Sequence, residues 1–288
     1  MKNGIEIIDF RCHPPVSAYK ALFDLHFERH TRRNKFVSGP ENAESPSMRK
    51  VGEEAALDLL MREIDEAGID LVVAPGRETP PGIAGGETDS DVSAETLVDL
   101  RERFNNRLLG LTGLELGRPA AQLADQIERA VKEHDLRGVV IEPGYYNAAD
   151  GGLLFADDES LYPIYETVIA LDVFVMYQGG IYGVDRLLQD LPRLKIVVGH
   201  GGYPAVIEAL ALATKYENFY ISPDVYCFFP GGETYVNAIE KLQDQFIFAS
   251  AYPMAGQKQS VDEALQFPLA RDALQKYMFD NAARLLKI

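Results

Sequence analysis

The sequence predicts an α/β fold, a single-domain parallel (β/α)8 barrel of the TIM type, and three observations lead there. Short apolar runs recur at residues 5–10, 71–75, 108–116, 138–141, 173–176, 194–198, 219–222 and 246–249. Amphipathic stretches at residues 53–67, 96–104, 121–133, 161–170, 203–212 and 233–242 alternate with them. The runs are apolar at successive positions, as strands covered on both faces must be. Eight such runs fit a closed barrel better than an open doubly wound sheet. The first run ends in Arg11-Cys12-His13-Pro14-Pro15, where an open sheet often carries a Gly-rich phosphate turn.

Taken in order, the first strand is expected at residues 5–10. Residues 14–51 then separate it from the first helix by far more than the usual ~2–6 residues of such a connection. This insert carries Tyr19, Phe23, Phe27 and Phe36 and a basic cluster of Arg29, His30, Arg32, Arg33 and Lys35. It reads equally as a lid that helps bind an anionic substrate and as a surface or subunit-contact segment. Leu57, Leu60, Met61 and Ile64 recur at helical spacing within 53–67. The second run, 71–75, is followed by a Gly- and Pro-rich segment at 76–91 that reads as part of the site's wall. Glu142 closes the fourth run before Pro143-Gly144, and Tyr177-Gln178-Gly179 follows the fifth. Gly199-His200-Gly201 ends the sixth, Pro223-Asp224 the seventh and Ser250-Ala251-Tyr252 the eighth. There is no internal repeat and no low-complexity linker, so residues 1–288 are read as one domain.

Composition narrows the function classes. The chain has 288 residues, 47% of them hydrophobic, which is ample for a large core. A formal charge of −16 argues against a nucleic-acid surface, which needs clustered Lys and Arg. No apolar run approaches the ~18 residues of a membrane span, so no membrane partner is expected. The start of the chain lacks a basic stretch, an apolar core and a cleavage site, so no signal peptide is expected. Two cysteines, Cys12 and Cys227, make no disulfide framework, which points to a cytoplasmic location. A homo-oligomer is expected only because closed symmetric assemblies are common.

In a parallel barrel the strand ends that carry Arg11, His13, Glu142, His200, Asp224 and Tyr252 face one mouth, where barrel sites lie. The motifs at these ends resemble the amidohydrolase superfamily, in its amidohydrolase-related branch of decarboxylases, hydratases and lactone hydrolases. They are Ile8-Asp9-Phe10-Arg11-Cys12-His13, Val197-Val198-Gly199-His200-Gly201-Gly202, Phe248-Ala249-Ser250-Ala251-Tyr252-Pro253 and Asp280-Asn281-Ala282-Ala283-Arg284-Leu285-Leu286. The resemblance spans nearly the whole chain, and it implies a site with an Asp-x-His-x-His motif, a His after the fifth strand, a His after the sixth and an Asp after the eighth. Here Arg11 stands at the first of the paired His positions, Tyr177-Gln178 where the fifth-strand His would be, and Ala251 at the Asp. His13 and His200 are retained.

A catalytic zinc wants about three protein ligands, and a guanidinium that cannot lose its proton disfavours a cation beside it. No cofactor is therefore expected; if one binds, it is a single divalent metal such as zinc. On an alternating strand Asp9 would share a face with Arg11 and His13, leaving Cys12 on the other. Arg11 and Arg77 are read as carboxylate clamps, because a guanidinium offers paired N–H donors. His200 is the best general acid/base, since imidazole titrates near neutrality. His13 is read as orienting substrate or sharing the proton, and Asp224 as pairing with His200. Glu142 is either a second acid/base or a counter-ion. Tyr177, Gln178, Tyr226 and Tyr252 are candidate hydrogen-bonding groups. The structural alternatives stay open: Arg11 and Arg77 as barrel salt bridges, Asp224 as a turn residue, the tyrosines as wall.

The leading expectation is a hydrolase or carbon–carbon lyase acting without metal on a small carboxylated molecule. Two alternatives remain: a non-catalytic barrel that binds an anionic ligand, and a metal-dependent hydrolase using His13, His200 and either Glu142 or Asp224.

Overall fold

Among the described residues seven parallel strands lie side by side in chain order, with helices between them along the sequence. This computed structural model describes residues 1–19, 51–78, 91–145 and 152–288. The strands are β1 (Ile8–Asp9), β2 (Leu71–Pro75), β3 (Leu108–Gly113), β4 (Gly138–Ile141), β5 (Phe174–Tyr177), β6 (Lys195–Gly199) and β7 (Phe219–Ser222). The principal helices are α1 (Glu53–Ala67), α2 (Ala94–Arg103), α3 (Ala120–Lys132), α4 (Tyr162–Ala170), α5 (Val184–Asp190), α6 (Val206–Lys215), α7 (Glu233–Ile239), α8 (Gln257–Ala264), α9 (Arg271–Gln275) and α10 (Asn281–Leu286). Sequential parallel order follows when every strand returns over a covering helix.

Alternation along each strand splits the core into two layers. On the inner face Ile8, Phe10, Val73, Leu111, Val140, Phe174, Met176 and Val197 pack together, with the rings of Phe10 and Phe174 5.4 Å apart. Their neighbours Val72, Val139, Ile141, Val175, Ile196 and Val198 face the helices. α1 buries Ala56, Leu57, Leu60, Ile64 and Ala67 at spacings of three and four, and ends where Gly68 turns left-handed at φ 73°. Each buried Leu or Ile there contributes about 1.5–3 kcal/mol. α2 starts on Ser93, whose side chain accepts from the Thr96 N–H. β2 and β3 close up at their ends, where a Cβ on Gly113 would lie 2.5 Å from the Arg77 nitrogen. Only glycine permits that approach, and it holds Arg77 against the end of β3.

Two expectations need correction. The run at 246–249 is not a strand. Its Ile247 N–H does bond the Ile221 carbonyl of β7, and its Phe248 carbonyl accepts from Phe10. But the Phe248 N–H turns to the Tyr277 carbonyl in a π-helical segment, and Asn281 Nδ2 donates to the Phe246 carbonyl at 2.8 Å. Groups that a ladder would need are taken by the C-terminal helices, so pairing stops at single bridges. That is also what the 280–286 motif does: Asn281 reaches Gln243 and Phe246, and Arg284 reaches the Asp244 carbonyl. The first strand is also shorter than its apolar run. Residues 20–50 of the expected insert, with most of its aromatic and all of its basic residues, lie outside the described residues, as do 79–90 of the Gly- and Pro-rich segment.

Candidate active site at the strand ends

The chain leaves β1 through a side-chain turn. Asp9 Oδ1 accepts the Arg11 N–H two residues on at 3.3 Å, an Asx turn that bends the backbone. The same oxygen accepts the Ser250 N–H at 2.8 Å, while Oδ2 accepts Ser250 Oγ at 2.6 Å and Gln257 Nε2 at 2.7 Å. Asp9 is thus a fully engaged tie between β1, the 246–250 run and α8. Burial pushes its carboxyl above the ordinary 3.8, with the hydrogen bonds pulling the other way. The expectation that Asp9 shares a face with Arg11 fails here, because the turn ends strand alternation before Arg11.

The bend carries the Arg11 guanidinium to His200 and Asp224, the residues that follow β6 and β7. Arg11 Nη1 lies 2.8 Å from His200 Nε2, 3.2 Å from its Nδ1 and 3.5 Å from Asp224 Oδ2. Asp224 Oδ2 sits 2.9 Å from His200 Nδ1 and also accepts the His200 N–H at 3.3 Å. A carboxylate only accepts and a guanidinium only donates, so the bonds assign the tautomer. Nδ1 carries the proton toward Asp224 and leaves the lone pair on Nε2, while Arg11 Nη1, close to both ring nitrogens, lies against the ring rather than along that lone pair. Side-chain exposure is 7% for Arg11, 0% for Asp224 and 27% for His200, so the imidazole is the most accessible of the three.

Left-handed backbone is found at the same ends. His200, Asp224 and Ala251 are left-handed at φ 57°, 45° and 53°, uncommon for residues other than glycine. Around His200 the turn is fixed by α7, where Tyr235 Oη donates to the Gly201 carbonyl at 3.1 Å. A Cβ on Gly201 would come within 2.8 Å of that ring. Among the described residues, buried Arg11 Nε, Asp224 Oδ1, Ser222 Oγ and both amide atoms of Gln178 have no hydrogen-bond partner. Three of the strand ends, those of β1, β5 and β7, therefore present polar atoms ready to receive a ligand. Beside His200 stands an aromatic wall: Tyr226 meets the imidazole edge-on at 5.0 Å, and Tyr203 and Phe229 pack on Tyr226 at 4.8 and 4.7 Å.

A second group forms around β2 and β4. Arg77 Nε is 3.8 Å from Glu142 Oε2, so Glu142 serves as the counter-ion of Arg77 and not of Arg11. Tyr19 Oη donates to the Pro75 carbonyl at 2.5 Å, and its ring meets His13 edge-on at 5.4 Å. His13 Nδ1 bonds the Tyr252 carbonyl at 2.8 Å. Two expected site residues are placed differently. Tyr177 faces the helix layer with Tyr165, not the inner face, because it is the outward residue of β5. Burial pushes its phenol well up. Tyr252 is fully buried in the same layer, and what it offers is its backbone carbonyl. Cys12 and Cys227 are buried thiols, pushed up by burial, which disfavours the thiolate. The wall residues Tyr203 and Phe229, and Ser222, were not singled out by sequence reasoning. Nothing local marks which of 14 tyrosines and 14 phenylalanines face a site.

The family profile described as Amidohydrolase matches residues 8–288. The chain belongs to the amidohydrolase family. No curated protein sequence matches it. Among solved structures it is similar to an uncharacterised TIM-barrel protein of Bordetella bronchiseptica, with TM-score 0.81, 27% identity, and 98% of this chain and 99% of that one covered. It also shares its fold with a 5-carboxyvanillate decarboxylase of Novosphingobium aromaticivorans, solved with manganese and a nitrobenzoic acid (TM-score 0.68, 16% identity, 100% and 97% covered). A 2,6-dihydroxybenzoate decarboxylase from Rhizobium is a third (TM-score 0.68, 17% identity, 98% and 99% covered).

The manganese of that decarboxylase corrects the expectation that no cofactor belongs with this amidohydrolase site. Among the described residues no three of His, Cys, Asp or Glu gather into a group that could hold a metal. Asp224 is taken up by His200 and Arg11, Glu142 by Arg77, and Asp9 by Ser250 and Gln257. These side chains as placed do not form a metal centre. Among the described residues no helix is long and apolar enough to cross a membrane.

Proposed function

We propose that this amidohydrolase-family chain is an enzyme that hydrolyses a small carboxylated substrate, with His200 as general base, Asp224 as the group that fixes its tautomer and Arg11 as the carboxylate-binding cation. The observation that carries the reading is the Asp224–His200 pair. Oδ2 at 2.9 Å from Nδ1 leaves the basic lone pair on Nε2, which is the form that takes a proton from water. An imidazole held by a buried carboxylate, next to a guanidinium, supplies proton transfer and anion binding within one hydrogen-bonded unit. His13 is assigned to orienting substrate, and Gln178 to hydrogen-bonding it. The aromatic wall of Tyr203, Tyr226 and Phe229 suits a flat or apolar substrate body. Arg77 with Glu142 borders the other side of the site. The two free, buried cysteines fit a cytoplasmic enzyme.

A second reading is a carbon–carbon lyase that removes carbon dioxide. The two decarboxylases of the same fold favour it. In that case a protonated His200 would deliver a proton to the carbon that loses the carboxylate.

The test is a turnover screen of small carboxylates bearing ester, lactone or amide groups, together with hydroxylated aromatic acids. It is run with added manganese and with chelator, reading acid release and carbon dioxide separately. For a substrate found this way, Arg11→Gln should raise KM about tenfold or more, what a charge-assisted bond contributes, and leave the KM of the uncharged methyl ester nearly unchanged. Equal effects on acid and ester would remove Arg11 from carboxylate binding. Carbon dioxide without hydrolysis would move the conclusion to the lyase.

A further inference from the structure

Beside the dyad, three consecutive strand ends carry polar groups that the proposed proton transfer does not use. Tyr177 pairs with Val198, and Gly199 with Ser222, so Gln178, Gly199 and Ser222 follow one another across β5, β6 and β7. Two residues earlier on each strand, Met176, Val197 and Tyr220 lie in the inner layer, so alternation turns all three positions inward. Gly199 contributes no side chain, and the Gln178 carboxamide reaches into the place one would fill. Its Nε2 and Oε1 both lie 2.4 Å from where a Cβ on Gly199 would stand. The polar end of the amide thus abuts the backbone of β6, and neither atom has a hydrogen-bond partner among the described residues. Ser222 is 1% exposed, and its Oγ is likewise buried and unpartnered among them. Such groups are rare in native folds, and each needs a reason.

From this juxtaposition we infer that Gln178, Gly199 and Ser222 form a slot for a hydroxyl group of the substrate. The Gln178 carboxamide stands in that slot until the hydroxyl displaces it. The inference rests on the reading of Arg11 as the carboxylate site and of His200 as the base. It narrows the substrate to a carboxylate with a hydroxyl close to the reacting bond. The space is that of one small side chain at a single strand position, which suits a group of one heavy atom. Gln178 and Ser222 are neutral, so the slot selects no charge. Between them they offer donors and acceptors, and a hydroxyl both donates and accepts. The carboxamide is the far end of a flexible side chain, so it can swing off Gly199 and turn onto the incoming oxygen. His200 directly follows Gly199, so a group held in the slot lies next to the residue that carries the imidazole.

Two acids that differ by one hydroxyl, mandelate and phenylacetate, test this without knowledge of the substrate. Each carries a carboxylate for Arg11 and a ring for the wall at Tyr226. Calorimetry on the wild type should show mandelate binding about tenfold more tightly, the worth of a hydrogen bond to buried partners. Gly199→Ala puts a methyl group in the slot and should weaken mandelate to the level of phenylacetate. Ser222→Ala should narrow the gap as well. Because it removes an unpartnered buried hydroxyl, Ser222→Ala should also raise the melting temperature, by about 2–4 °C. A lower melting temperature would make Ser222 a structural residue and overturn the slot. Equal wild-type affinities for the two acids, both weakened by Arg11→Gln, overturn the slot and leave the carboxylate reading standing. Binding of neither acid removes Arg11 as a carboxylate site, and the slot falls with it. Ser222→Ala carries the test alone if Gly199→Ala does not fold.

Discussion

Asp9 and Asp224 are both buried carboxylates at strand ends, yet they are partnered in opposite ways. Asp9 receives four donors, two on each oxygen, from Arg11, Ser250 and Gln257. Asp224 receives all its contacts on Oδ2, from His200 and Arg11, while Oδ1 has no hydrogen bond among the described residues. A saturated carboxylate has nothing left to offer a ligand, and its worth is the connection it makes. A half-saturated one, beside a base and a cation, retains chemistry. Two aspartates of equal burial thus divide into a structural tie and a site group by their hydrogen bonds alone.

The largest effect that would test this division is on stability. Asp9→Ala removes the common acceptor of four donors and leaves them buried, so unfolding free energy should fall by about 3–5 kcal/mol, measured by denaturant titration. A loss below about 1 kcal/mol would mean the tie is dispensable. Asp224→Asn should lower turnover of the screened substrate about 10²-fold or more. Its amide N–H₂ can displace the Nδ1 proton and turn the ring to the wrong tautomer, visible in imidazole ¹⁵N shifts. Its cost in stability should stay near 1–2 kcal/mol, below that of Asp9→Ala. Reversed magnitudes for the pair would break the comparison.

A subtler test uses pH. The Asp9 carboxyl is raised by burial from 3.8. Between the unfolded value and the higher folded one, the native state binds more protons than the unfolded chain. Stability from this group is therefore greatest below the window and declines as pH rises through it. Subtracting an Asp9→Asn stability profile from that of the wild type should isolate a falling step starting near pH 4. A rising step would mean the hydrogen bonds outweigh burial. The smallest expected effect is at the wall: Tyr226→Leu should raise KM several-fold, about 1 kcal/mol of lost ring contact, with kcat little changed. A kcat loss larger than the KM change would give Tyr226 a part in the chemistry.

How far the sequence could be read depended on the range of the interaction concerned. The alternation of apolar runs and amphipathic stretches is local, and it located α1, β2, β4 and β7 to the residue. The motif residues in which the resemblance to the amidohydrolase family was read, Arg11, His13 and His200 among them, are also local in sequence. Pairing of Asp224 with His200 could be proposed from their positions after neighbouring strands. Tyr177 was misassigned because its parity on β5 depends on where the strand begins, and Tyr252 because its carbonyl, not its ring, meets His13.

Sequence by itself therefore determined the parallel α/β architecture through the spacing of its runs, the family through the resemblance of its motifs, and the short roster of polar residues after the runs. The tertiary structure decided what each of them does. Asp9 became a tie because Ser250 and Gln257, more than 240 positions away, fold onto it. The run at 246–249 failed as a strand because Tyr277 and Asn281 took its backbone groups. Arg11 met the imidazole of His200 and the carboxylate of Asp224 because an Asx turn bent the chain at Phe10. Hydrogen bonds are directional and short-ranged, so which donor finds which acceptor is fixed only when distant segments are brought together.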